Sequence, residues 1–136
     1  MSGVAVRSAG EDDLARVAAW LGERKVRVEP QSLRVRLAED DGGILVSERA
    51  TLSWALDGGA LHLYDLAGEI AEFGALVAAA DAIARARFAA VLTAALYEDD
   101  AAVDQLRAIG FEGDWSEGDV RGGKAVRVVS LAREVS

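Results

Sequence analysis

Residues 60–111 decide the fold: ALHLYDLAG (60–68), EIAEFGALVAAADAIARARF (69–88) and AAVLTAALYEDDAAVDQLRAIGF (89–111). They read strand, turn, helix, strand, turn, helix. Phe73, Leu76, Val77, Ala80, Ile83 and Ala84 recur at helical spacing, with Glu72, Asp81 and Arg85 off that stripe, which predicts a helix over 71–87. Ala90 to Leu96 is apolar apart from Thr93, as in a strand buried on both faces. Asp99 or Asp100 can cap a following helix that turns Val103, Leu106 and Ile109 inward, and Gly110 ends it.

Upstream, Ile44–Glu48, Thr51–Leu56 and Ala60–Leu66 alternate as strands, with a hairpin turn at Asp57-Gly58-Gly59 and only Arg49 and Ala50 between the first two. An antiparallel meander is expected. Residues 26–41 admit two readings. Leu33, Val35 and Leu37 alternating with Arg34 and Arg36 suggest a strand, whereas Pro30 followed by QSLRVRLAEDD suits a short helix opened by proline. At the start, Val4–Arg7 reads as a strand. Ser8 and Glu11 have capping-box spacing, and Leu14, Val17, Ala18 and Leu21 define a helix over 11–24 with Asp12, Asp13, Arg16 and Glu23 off its apolar face. At the other end, Phe111–Trp115 and Ala125–Leu131 bracket a Gly-rich acidic loop and read as a last hairpin.

The chain has 136 residues, 51% of them hydrophobic, and a formal net charge of −8, which points to a single folded domain over 1–136. The negative charge opposes nucleic acid and anionic lipid surfaces as partners, and the arginines form no patch beyond the short pairs Arg34/Arg36 and Arg85/Arg87. There is no cysteine and one histidine, His62, so disulfides, thiol chemistry and a cysteine metal site are excluded, and no metal is expected. Uncharged apolar runs are too short to span a bilayer and the N-terminal MSGVAVRSAGEDD lacks a signal core. A cytoplasmic location is the expectation.

The order strand, helix, helix or strand, three strands, helix, strand, helix, two strands resembles the GNAT superfamily of N-acetyltransferases. VRSAGEDDLARVAAWL is similar to that family's first strand and helix. YEDDAAVDQLRAIGFEGD is similar to its fourth-helix motif, with Asp99, Ala101, Ala102, Gly110 and Phe111 at the motif positions. The resemblance favours a helix over residues 30–37 and implies an α/β fold with a mixed, mostly antiparallel sheet flanked by helices. It also implies acetyl-CoA as cofactor, an amine acceptor or protein partner, and possible homodimer formation. The strands 60–66 and 90–96 should then be parallel neighbours, splayed at their C-terminal ends to admit the cofactor's pantetheine arm.

The cofactor-binding positions implied are Leu66, Ala67, Glu69, Glu72, Gly74 and Asp99. Family members hold the pyrophosphate with the pattern Arg or Gln, two residues, Gly, one residue, Gly or Ala. A helix N-terminus suits an anion because its N–H groups are free and its dipole end is positive. Here the pattern reads Glu69, Glu72, Gly74. Two unit charges about 5 Å apart at an effective dielectric of about 20 repel by roughly 3 kcal/mol, and solvent exposure weakens this severalfold. Acidic residues in a first helical turn also have a plain role in stabilising the helix. The family's general-acid tyrosine falls at Leu106, which has no proton to give. Tyr97 and Asp65 are the remaining candidates for proton transfer, against the simpler readings of a packed phenol and a solvated carboxylate. His62 reads as a strand histidine, Trp20, Trp54 and Trp115 as core or edge aromatics. Glu112, Asp114, Glu117 and Asp119 read as a solvated acidic loop or a lure for a cationic acceptor. The expectation is an acetyltransferase-like protein with a degenerate acetyl-CoA site, weak or inactive as an enzyme. The alternatives are an active N-acetyltransferase with a nonstandard loop and a structural half of an assembly.

Overall fold

The structure, a computed structural model, describes residues 4–97, 99–121 and 123–136, with only the backbone described at 115–121 and 124. In chain order the elements are β1 (Arg7–Ser8), α1 (Leu14–Glu23), α2 (Pro30–Leu37), β2 (Gly42–Val46), β3 (Ala50–Asp57), β4 (Ala60–Gly68), α3 (Phe73–Ala86), β5 (Val91–Tyr97), α4 (Ala102–Ala108), β6 (Trp115–Arg121) and β7 (Lys124–Glu134). The strands form one sheet in the order β1-β2-β3-β4-β5-β7-β6. Only β4 and β5 run parallel, with α3 as the crossover that carries the chain back between them. The α/β architecture is mixed and mostly antiparallel, as expected.

The sheet has a core on each face. The larger joins Leu52, Leu61, Leu63 and Leu92 to Phe73, Leu76, Val77 and Ala80 of α3 and to Val103 and Leu106 of α4. The smaller joins Ile44, Val46 and Ala67 to Leu14, Val17 and Leu21 of α1 and Leu33 of α2. Phe73, Leu76, Val77 and Ala80 are fully buried, so the stripe read from the sequence is the packing face. Each of the larger side chains contributes about 1.5–3 kcal/mol by leaving water. Pro30 stands at the first turn of α2, which settles residues 30–37 as helix.

Several expectations are corrected. β1 is Arg7–Ser8, not Val4–Arg7, and Val4 is exposed. Ser8 and Glu11 form no capping box. Instead Asp13 accepts the Gly10 N–H at 2.8 Å and both guanidinium arms of Arg7 at 2.7 Å. Arg16 adds a bond at 2.8 Å. Asp13, placed off the apolar face, is therefore buried, and the Arg7 bonds hold its carboxyl well below the usual range. Asp81, likewise placed off the α3 stripe, is buried too. It accepts bonds from Arg133 at 3.0 Å and from the Ser136 N–H and hydroxyl at 3.1 and 2.8 Å. Burial opposes its charge, but the Ser136 and Arg133 bonds outweigh it and lower the pKa. β5 is not buried on both faces: Leu92 and Ala94 are, while Ala95 is exposed. The acidic stretch after Trp115 is not a loop between strands but β6 itself, paired with β7 from Trp115↔Val129 to Arg121↔Lys124. The side chains of Trp115, Glu117 and Asp119 lie outside the described residues. Glu112 and Asp114 are exposed.

Candidate functional site: the cleft between β4 and β5

β4 and β5 pair from Ala60↔Val91 to Leu63↔Ala94 and no further. Beyond that point β5 stays with β7 as far as Tyr97↔Val128, while β4 follows β3 to Ala50↔Gly68. The strands part as expected. The local cause is a bulge in β4. Thr51 pairs with Ala67 and Ser53 with Tyr64, so Leu52 alone faces Asp65 and Leu66. Asp65 takes up the extra residue with φ at +50°, and a bulge of this kind bends its strand.

The gap holds a cleft of about 280 Å³. Tyr64, Asp65 and Leu66 form one wall and Ala95, Leu96 and Tyr97 the other. Leu21, Arg24 and Val26 close it from the α1 side, and Asp99, Asp100 and Ala101 from the β5–α4 turn. The Asp65 carboxylate forms an ion pair with Arg36 at 2.9 Å. Arg36 also donates to Ser53 Oγ at 3.0 Å and lies 4.9 Å from the Tyr64 ring centre. Burial pushes the Tyr64 phenol above its ordinary pKa. Across the cleft Arg24 pairs with Asp100, whose carboxylate also accepts the Ala102 N–H at 2.9 Å and so caps α4. The arrangement offers carboxylates, two phenols and a hydrophobic floor to a small polar ligand.

The structure thus brings together Asp65, Leu66, Tyr97 and Asp99. It does not bring in Ala67, which is fully buried in the α1-side core. Glu69, Glu72 and Gly74 also lie outside the cleft, in the β4–α3 turn and the start of α3. That turn is packed against the β2–β3 turn. Gly68 has φ +98°, and a Cβ there would lie 2.1 Å from the Arg49 carbonyl oxygen. The Glu69 N–H donates to that same oxygen at 2.9 Å, and the Glu72 N–H donates to the Glu69 carbonyl at 3.0 Å. The Glu72 carboxylate accepts from Ser47 Oγ at 2.6 Å and from the Arg49 N–H at 2.9 Å. The Ser47 bond is the main reason its pKa falls. The exposed Glu69 side chain faces water.

Sequence reasoning missed Arg24, Arg36 and Tyr64. Arg24 fell at the end of the expected helix over 11–24 and Arg36 looked like one of a strand's alternating charges; neither signal pointed inward. His62 donates or accepts with Thr93 Oγ1 at 3.0 Å and stacks on Tyr64, a structural role. Trp54 is buried and Trp20 half-buried under Arg16. Among the described residues, no group of three or more His, Asp and Glu is placed to hold a metal, and no helix is long and apolar enough to cross a membrane.

No family model matches the sequence, and no curated protein matches it. Solved structures do match in shape. An N-acetyltransferase from Staphylococcus aureus superposes with a TM-score of 0.82 at 10% identity, covering 99% of this chain and 100% of that one. A GNAT superfamily phosphinothricin acetyltransferase from Sinorhizobium meliloti, in complex with AcCoA, gives 0.81 at 12% identity, over 98% and 89% of the two chains. A ribosomal-protein-alanine N-acetyltransferase from Brucella melitensis gives 0.79 at 19% identity, over 96% and 99%. Identities this low speak for architecture and not for chemistry, and on that evidence the chain has the GNAT acetyltransferase fold over nearly its whole length.

Proposed function

We propose that this GNAT-fold protein is weak or inactive as an acetyltransferase and acts by binding an amine-bearing ligand or a protein partner in the β4–β5 cleft. The observation that carries the reading is the β4–α3 turn. The Glu69 and Glu72 N–H groups already have carbonyl partners within the chain. The Glu72 carboxylate sits on Ser47 and Arg49, and Glu69 adds a second negative charge. A pyrophosphate would meet two anions where it needs free donors, so these residues do not fit that part of acetyl-CoA. The same fold holds AcCoA in the Sinorhizobium meliloti neighbour, which makes the cofactor the right probe. Its chemistry would be the donation of an acetyl group; this chain would contribute only the cleft walls. Leu106 is fully buried and without a proton. Of the proton-transfer candidates, Asp65 is engaged by Arg36 and Tyr97 lines the wall.

The test is calorimetric titration with acetyl-CoA, followed by an acetyl-transfer assay on a panel of amines. Negligible heat at millimolar cofactor and no turnover are expected. Micromolar binding with turnover would establish the enzyme reading in place of this one. Tyr97→Phe and Asp65→Asn would then show whether either residue moves the proton.

A further inference from the structure

An ion pair bridges the cleft between elements that belong to different cores. Arg24 is the C-cap of α1, whose Leu14, Val17 and Leu21 pack on one face of the sheet. Asp100 lies in the turn before α4, whose Val103 and Leu106 pack on the other face. The two side chains line the cleft and pair with each other, at 23% and 18% exposure. The halves of the pair are held differently. The Asp100 oxygen that meets Arg24 also accepts the Ala102 N–H at 2.9 Å, which anchors the carboxylate to the start of α4. Arg24 instead opens a looser segment. Lys25 takes a left-handed φ of 61° and the Val26 N–H turns back to Leu21 at 2.9 Å. Beyond it, Arg27 and Val28 make no backbone hydrogen bond among the described residues.

We propose that the Arg24–Asp100 pair is a latch on the cleft: closed, it ties the two walls across the mouth, and a ligand enters when Arg24 releases Asp100. This control of entry rests on the cleft being the site of binding, as proposed above. The carboxylate stays in place as the α4 cap, and the guanidinium, on its long stem, is the moving half. Both side chains keep some contact with water. An ion pair of that kind favours closure by about fivefold or less, so the latch opens thermally, and dissolved salt weakens it. With the latch closed, the walls of the cleft are held by a contact that the chain makes with itself, which adds a second obstacle to entry beside the acidic β4–α3 turn.

The chain has no cysteine, so a single introduced thiol reports access to the cleft. Leu66 lines the cleft and is 4% exposed. Leu66→Cys is made alone and together with Arg24→Ala, with Asp100→Asn, or with both. Its reaction with N-ethylmaleimide, a neutral probe, is timed at about 0.05 and about 0.5 M sodium chloride. Leu92→Cys, at a fully buried core position, is carried through the same series as the control for global opening. Asp100→Asn keeps a cap on α4, since asparagine caps as well as aspartate. Each single change is expected to speed the Leu66→Cys reaction about two- to fivefold, and the double change to add nothing further, because both break one contact. Salt should speed the reaction only while both partners are present. The two changes alter the local charge in opposite senses, so a rise in both reports access and not thiolate formation. An unchanged rate in either variant overturns the latch. So does an equal rise in Leu92→Cys, or a salt response that survives loss of the pair. No ligand is present in the measurement, so its outcome stands apart from what the cleft binds.

Discussion

The two strand-to-helix turns that flank the cleft are built in opposite ways. In the β4–α3 turn the polar groups face inward on the chain itself: Gly68 and the Glu69 N–H press on the Arg49 carbonyl, and Glu72 holds Ser47 and the Arg49 N–H. In the β5–α4 turn they face the cleft: Asp99 lines it, and Asp100 caps α4 while reaching Arg24 on the far wall. One turn is a clamp between two hairpins. The other is the edge of a binding surface. The difference separates a turn that serves the packing of the fold from a turn that lines the cleft.

The sharpest way to break the contrast is Gly68→Ala. A Cβ 2.1 Å from a carbonyl oxygen cannot be accommodated in place, and the positive φ adds strain. A loss of about 3–4 kcal/mol is expected from chemical denaturation. A loss below about 1 kcal/mol would mean that the turn is not a clamp. Removing the acidic half of the clamp comes next. Glu72→Ala deletes the acceptor for Ser47 and for the Arg49 N–H and should lower stability by about 1–2 kcal/mol. The carboxylate's pKa falls on folding from its ordinary 4.5. Its contribution is therefore complete above that pH and fades as pH drops through the lower folded value. Stability measured from pH 7 down to pH 3 should fall less steeply in Glu72→Gln than in the wild type. Parallel curves would remove Glu72 from the account.

On the cleft side, Asp100→Ala takes away the α4 cap and the Arg24 partner together. About 1 kcal/mol of stability should be lost, as for a helix cap. Amide exchange should quicken at Ala102 and Val103 while the β4–α3 turn is unchanged. Exchange that quickens equally at both turns would show that they behave as one unit. The smallest expected change in stability belongs to Glu69→Arg, within about 0.5 kcal/mol for an exposed side chain. Its effect lies in affinity: reversing one charge at the α3 N-terminus should tighten acetyl-CoA about tenfold. No gain in calorimetry would put the obstacle in the paired N–H groups and not in the charge.

The sequence by itself determined the elements and the stripe they bury. Phe73, Leu76, Val77 and Ala80 pack where their spacing put them, because helical and strand periodicity is written in neighbours a few residues apart. The parallel pairing of β4 and β5 is the one the family resemblance implied. The acidic β4–α3 turn was visible as Glu69 and Glu72, but not what Glu72 holds. Tertiary structure alone decided the rest. Asp13 and Asp81 looked solvated by their place on the helical wheel. They are buried because Arg7, Arg133 and Ser136 arrive from other elements to meet them. The bulge at Asp65 depends on register with β3. Arg24 and Asp100 are 76 residues apart in sequence yet close the same cleft. Phe88, just past the end of α3, stands out in water. In each case the deciding partner lies far along the chain, and local pattern carries no information about a contact that only chain closure creates.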